Sequence, residues 1–172
     1  MNGFVSSKNE YKIFANYVSI DLEIHPENND LLKIGAVPSE GQENLCYKGK
    51  FDIPSSMKKL DEFCNNAEFV LGHNISSHDI PWLKQHFPKL QLLSLPVIDT
   101  LYLSPLAFPK NPYHRLVKDY KIVRESVNDP VGDAKLTISL FNDQIDAFKK
   151  MEKQVVGTYG YLLNRSYPEE SY

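Results

Sequence analysis

In its first third the chain sets apolar residues in short blocks suited to strands, and only later at helical spacing. Val18 and Ile20 lie in the β-forming run 17–22, which predicts a first strand. Leu31 to Val37 predicts a second, ended by Pro38, and Leu45 to Phe51 a third. The links between them, His25–Asp30 and Ser39–Glu43, have the composition of turns, so the three strands should form an antiparallel meander. Pro54-Ser55-Ser56 then marks a helix start, with Ser55 or Ser56 as cap and Met57, Leu60, Phe63 and Cys64 on one face. Phe69–Gly72 reads as a fourth strand. A helix follows from Ser77, with Pro81 in its first turn and Pro88 at its end. Residues 96–100 read as a fifth strand and 113–120 as a short helix. Residues 128–150 read as a long helix burying Val131, Ala134, Leu136, Ile138, Leu140 and Phe141. Residues 1–15 form a polar lead-in, and the pattern assigns nothing to the tail from Tyr159 onward. Strands, then strands alternating with helices, predict an α/β layered fold.

The first strand ends in two acids, Asp21 and Glu23. Residues two apart on a strand share a face, so these carboxylates converge while Leu22 turns into the core. Adjacent carboxylates repel, and a divalent cation between them relieves the repulsion. Hard oxygen ligands select Mg²⁺ or Mn²⁺ over thiophilic metals. Taken alone, the pair fits better a strand end with two solvated acids. Asp79 and Asp133 each lie near the start of a predicted helix, where an acid is also favoured by the helix dipole.

Bulk composition narrows the picture. A length of 172 residues, 42% of them hydrophobic, predicts one domain, residues 1–172, with a recognisable core over about 17–150. A net charge of −3 does not mark the whole surface for nucleic acid. The two cysteines, Cys46 and Cys64, have no CxxC spacing, which suggests neither a zinc site nor a disulfide framework and fits a cytoplasmic location. No apolar run is long enough to span a membrane, and residues 1–7 lack the apolar core of a signal peptide.

The four acids in order resemble the motifs of the DEDD exonuclease superfamily, which includes proofreading subunits, ribonuclease T and oligoribonuclease. Ile20-Asp21-Leu22-Glu23 resembles the first motif. Gly72-His73-Asn74-Ile75-Ser76-Ser77-His78-Asp79 resembles the second, with His78 where a phenylalanine is usual. Pro96-Val97-Ile98-Asp99-Thr100 resembles the strand leading to the third, and Asn128-Asp129-Pro130-Val131-Gly132-Asp133-Ala134 the third itself. The likeness runs from about Val18 to Phe148 and rests on the order and spacing of motifs that are individually weak. The stretches 103–109 and 111–121 also resemble an exonuclease domain associated with large bacterial RecQ-like helicases, which implies a helicase as fused or partner domain.

This resemblance implies an RNase H-like three-layer α/β fold, with a mixed five-stranded sheet flanked by helices. It implies 3′–5′ exonuclease activity on single-stranded DNA or RNA 3′ ends, releasing 5′ nucleotides. Two Mg²⁺ or Mn²⁺ ions would be held by Asp21, Glu23, Asp79 and Asp133. Leu22, His73, Asn74 and His78 would contact the terminal nucleotide, and His114, Arg115 and Lys118 would hold phosphates within the basic stretch Lys110–Arg124. Tyr113 and Trp82 offer stacking faces. The pattern departs from the family at the general base. One branch has a histidine five residues before the last aspartate, where this chain has Asn128. The other has a tyrosine four residues before it, where this chain has Asp129. Asparagine takes up no proton at neutral pH, though it can orient a water. His78, His114 and Asp129 are substitute candidates. The alternative is a catalytically weakened nucleic-acid-binding or scaffold module on the same fold.

Overall fold

Residue parity along one strand organises the molecule. The computed structural model describes residues 15–111 and 129–166. Strand β1 (Tyr17–Ile24) is central, flanked by antiparallel β2 (Leu31–Pro38) and parallel β4 (Phe69–Gly72). The edges are β3 (Leu45–Lys48), antiparallel to β2, and β5 (Val97–Asp99), parallel to β4. The sheet is therefore mixed and five-stranded, in the order β3-β2-β1-β4-β5.

Even-numbered β1 residues Val18, Ile20 and Leu22 enter a core with Ile34 and Ala36 of β2. They meet Met57 and Leu60 of α1 (Ile53–Phe63), its C-cap Cys64, and Ile80, Trp82 and Leu83 of α2 (Asp79–His86). Odd-numbered residues face the other way. There Tyr17 packs with Leu71 and with Phe141 of α4 (Pro130–Lys150), and Ser19 Oγ donates to the Ala134 carbonyl at 3.0 Å. Helices thus cover both faces, giving three layers. Asp21 and Glu23 continue the odd series past Ser19, so alternation alone puts both on the α4 face.

Several boundaries differ from the sequence expectation. The cap of α1 is Asp52, whose Oδ2 accepts from the Ser55 amide at 2.9 Å, rather than Ser55 or Ser56. β3 stops at Lys48 because Gly49 takes a positive φ of 75° and turns the chain. α2 starts at Asp79, two residues later than expected. A helix α3 (Thr100–Ala107) follows β5 directly, capped by Asp99; Pro105 inside it disguised the pattern. The buried stripe of α4 is Pro130, Ala134, Thr137, Phe141 and Gln144, so Val131, Leu136, Ile138 and Leu140 are only half-buried. Two of the inward positions are polar because they are bonded within the fold. Thr137 donates to the Asp133 carbonyl, and Gln144 donates to the Thr100 carbonyl and to Ser104 Oγ at 2.8 Å each. A further helix, α5 (Lys153–Ser166), takes in the described part of the tail assigned to no element. The expected helix 113–120 lies outside the described residues.

Candidate metal centre

Asp21 and Glu23 end the central strand, and α4 delivers a third acid to them. Each of Asp21, Glu23 and Asp133 offers a carboxylate oxygen within 4.8 Å of the others, and all three side chains are partly exposed. Asp133 sits in the first turn of α4, its amide bonded to the Asp129 carbonyl at 2.9 Å. Three like charges this close repel, and a divalent cation among them reverses the sign of the interaction. The all-oxygen donor set fits a hard ion such as Mg²⁺ or Mn²⁺.

The approach of α4 depends on Gly35, which pairs directly with Asp21 across β1 and β2. A Cβ placed on Gly35 would lie 2.5 Å from the Val131 nitrogen and 2.6 Å from the Pro130 oxygen. The first turn of α4 rests on bare backbone there, which brings Asp133 over the strand carrying Asp21. Nothing marked this glycine in the sequence except its place inside a strand, where glycine often signals close approach of another backbone.

Asp79 does not join the group of three. Its Oδ1 accepts from the Leu22 amide at 2.8 Å, between the two β1 acids in sequence. β4 pairs with β1 only as far as Ser19, and Asp79 satisfies a β1 amide beyond that point. The side chain is buried, and desolvation chiefly, with the charges of Asp99 and Glu23, pushes its carboxyl up to about 7. The Leu22 amide acts against that rise.

The loop between β4 and α2 is held by an acid the sequence reading passed over. Buried Asp99 accepts the amides of Asn74 (2.8 Å), Ser76 (3.0 Å) and Leu101 (3.0 Å). Asn74 adopts φ 63°, a left-handed conformation asparagine tolerates. His73 Nδ1 lies 2.9 Å from Thr100 Oγ1, whose hydroxyl donates to the Gly72 carbonyl. The His73 Nδ1 must then be the donor, leaving Nε2 as the acceptor nitrogen. Burial lowers the His73 pKa, against the charge of Asp99, and so disfavours the charged ring.

Other expected site residues fall elsewhere. The Leu22 side chain is in the core on the far face of the sheet. His78 is exposed at the N-cap of α2. Trp82 is buried, its Nε1 donating to the Asn29 carbonyl at 3.0 Å, so it presents no free stacking face. Asp129, at the tyrosine position of the family pattern, is bonded through Oδ1 to Lys48 Nζ at 2.8 Å. That bond holds its carboxyl below the usual range and makes it a weak base. Asn128, Tyr113, His114, Arg115 and Lys118 lie outside the described residues.

Among solved structures the chain is similar to the family B DNA polymerase from the hyperthermophilic archaeon Pyrobaculum calidifontis. The TM-score is 0.51 at 13% identity, over 76% of this chain. The chain spans about a quarter of that polymerase, 24% of its length. No protein-family model matches, and no curated protein does. At this identity the likeness is one of fold, an α/β, RNase H-like architecture with a mixed five-stranded sheet flanked by helices. No helix among the described residues is long and apolar enough to cross a membrane.

Proposed function

We propose that this chain is a metal-dependent 3′–5′ exonuclease that hydrolyses the terminal phosphodiester of a single-stranded nucleic acid and releases 5′ nucleotides. The observation that carries the reading is the convergence of Asp21, Glu23 and Asp133 from a central strand and a helix start. The RNase H-like fold, shared with a DNA polymerase, supports it.

Asp21, Glu23 and Asp133 would hold two Mg²⁺ or Mn²⁺ ions, with Asp21 as the best shared ligand because it lies on the central strand directly opposite Gly35, where the first turn of α4 rests. Bound there, the ions supply Lewis acidity toward the attacking water and the leaving 3′ oxygen. Asp79 would support the site by fixing the Leu22 amide between the two β1 acids. His73, held at Nδ1 by Thr100, would contact the terminal nucleotide. The water oxygen attacks phosphorus and loses a proton to solvent, the bond to the 3′ oxygen breaks, and the 3′ oxygen takes up a proton from solvent to become a hydroxyl. General-base assistance is worth about 10²–10⁴-fold, and Asn128 cannot supply it.

A second reading, a nucleic-acid-binding module with a weakened centre, is favoured by one feature: Asp129 is committed to Lys48 instead of poised as a base. Digestion of a 5′-labelled oligonucleotide, DNA and RNA in parallel, with Mg²⁺ and then Mn²⁺, separates the two. The expected result is a ladder shortening from the 3′ end, absent with Asp21→Ala. No ladder from a folded protein that binds both oligonucleotide and Mn²⁺ selects the binding module. Failure of Mn²⁺ to raise the melting temperature overturns the metal centre itself.

A further inference from the structure

The three parallel strands end at one side of the sheet, where ligands of open α/β sheets sit. β1 ends with Asp21 and Glu23, β4 runs into the segment 73–78, and β5 runs into α3. Ser19 stands opposite Leu71, and Leu71 opposite Ile98. Two residues further on, the same register sets Asp21, His73 and Thr100 in one row. The 2.9 Å bond between His73 Nδ1 and Thr100 Oγ1 shows that the last two are neighbours past the end of β4. With strands roughly 4.8 Å apart, the row carries the backbone from Asp21 to Thr100 in about 10 Å.

Tyr102 stands at the far end of this row, in the first turn of α3. α3 buries Thr100, Ser104 and Ala107, and Gln144 of α4 donates to the Thr100 carbonyl and to Ser104 Oγ. Tyr102 is two residues from both Thr100 and Ser104, about 200° around the helix from each. Its ring therefore leaves α3 on the side away from α4, and it is 56% exposed. Its hydroxyl is hydrogen-bonded to Ser77 Oγ at 3.0 Å, joining the segments that follow β4 and β5.

Single exposed apolar residues are ordinary and need no function. Tyr102 differs because both ends of the side chain are tied, one by the helix and the other by Ser77. The ring faces are what it offers a ligand, and covering an already fixed ring costs little side-chain entropy. We propose that Tyr102 is the platform on which the base of the 3′-terminal nucleotide stacks. The inference rests on the exonuclease reading above and specifies what the site grips. With the scissile phosphate at the acids, the terminal sugar lies over His73 and the base reaches α3 along the row. Every base has a π-face, so this grip tolerates any sequence and either sugar.

The test is binding by the full chain in Ca²⁺, followed by anisotropy, of two 5′-fluorescein thymidylate decamers. One has an intact 3′ end, and the other ends in an abasic tetrahydrofuran residue. Stacking one base on an aromatic side chain is worth about 5- to 150-fold in affinity. Wild type should prefer the intact decamer by a factor in that range, and Tyr102→Ala should bind both decamers as wild type binds the abasic one. Tyr102→Phe keeps the ring and drops the Ser77 bond, so it should retain most of the preference. The slope of log affinity against log salt should be the same in all three proteins, because stacking neutralises no phosphate. Mn²⁺ affinity by calorimetry should also be unchanged, because Tyr102 is not one of the three acids. A preference that survives in Tyr102→Ala, with wild type still binding and cutting, overturns the platform and leaves the exonuclease standing. Wild type with no preference, equal weakening of both decamers in Tyr102→Ala, or loss of its Mn²⁺ binding also overturns the platform. Wild type that neither binds nor cuts any oligonucleotide overturns the exonuclease reading, and the platform with it.

Discussion

Replacing Gly35 by alanine adds one methyl group at the point where α4 meets the sheet. Gly35 is not among the positive-φ glycines, so its backbone accepts alanine. That change alone should favour folding by about 0.5–1 kcal/mol, because the unfolded chain loses freedom. Packing acts against it. The new carbon would sit 2.5 Å from the Val131 nitrogen and 2.6 Å from the Pro130 oxygen, both backbone atoms that no rotamer change can move aside. Normal carbon contacts begin near ~3.5 Å, so the helix start must recede by about 1 Å. Pro130 is fully buried, which prevents a sideways escape. Overpacking of this kind costs about 1–3 kcal/mol, so the net change should be destabilising.

The larger consequence concerns the metal. Asp133 lies in the same turn as Pro130 and Val131 and recedes with them. Metal–oxygen distances tolerate only about ±0.2 Å, so a ~1 Å displacement removes one of three ligands. Mn²⁺ affinity should fall by about 10–100-fold, as when supporting contacts of a metal site are lost. Calorimetric Mn²⁺ titration and urea unfolding of the same samples read both effects. Leu60→Ala is the control: it empties a fully buried position on the opposite face of the sheet. It should cost about 2–5 kcal/mol of stability and leave Mn²⁺ affinity unchanged. Wild-type Mn²⁺ affinity in Gly35→Ala would refute the argument that backbone contact at Gly35 sets the ligand geometry.

Two further perturbations test the buried acids. Asp79 has its carboxyl raised from 3.8 to about 7, so between those values the folded protein holds a proton the unfolded chain has released. Its contribution to stability is therefore full below about 3.8 and lost as pH rises to 7, by no more than about 4 kcal/mol. Urea melts in EDTA at pH 5 and 7.5 should show this fall in wild type and a flatter profile in Asp79→Asn; equal pH dependence in the two would remove Asp79 as its source. Asp99→Asn replaces a carboxylate oxygen that accepts an amide with a group that donates, at a residue bonded to three amides. Bonds to a charged group contribute about 1.5–3 kcal/mol each, so a loss of at least 2 kcal/mol is expected, with faster amide exchange at Asn74 and Ser76. Wild-type exchange there would mean that Asp99 is not what holds the loop.

How far the sequence disclosed this arrangement depends on the range of the interactions. Alternation over Val18–Glu23 put Asp21 and Glu23 on one face and Leu22 on the other, because strand parity is a local property. That Asp133 would meet them came from motif order alone, since the distance depends on the register of α4 over β2. Asp79 shows the limit. Its motif position suggested a ligand, and its Oδ1 also bonds a strand amide left open where β4 ends. Only strand lengths reveal that need. The helix α5 was missed for another reason: Val155, Val156, Tyr159, Leu162 and Leu163 have helical spacing, but Gly157 and Gly160 interrupt the run.

Among the described residues, three fastenings at the start of α4 differ in what they respond to. The contact of Pro130 and Val131 with Gly35 is backbone on backbone, and the Ser19 bond to the Ala134 carbonyl is buried; neither carries charge. The Lys48–Asp129 bond is half exposed and weakens with salt. Asp133 is therefore pressed toward Asp21 and Glu23 chiefly by neutral packing, against a repulsion that packing does not remove. A cation that binds the group relieves this repulsion in the folded state alone, because the three acids are brought together by β1 and α4 and are separate in the unfolded chain. Metal binding and tertiary structure are then coupled in one direction. Whatever loosens α4 weakens the site, and whatever fills the site tightens α4 on the sheet.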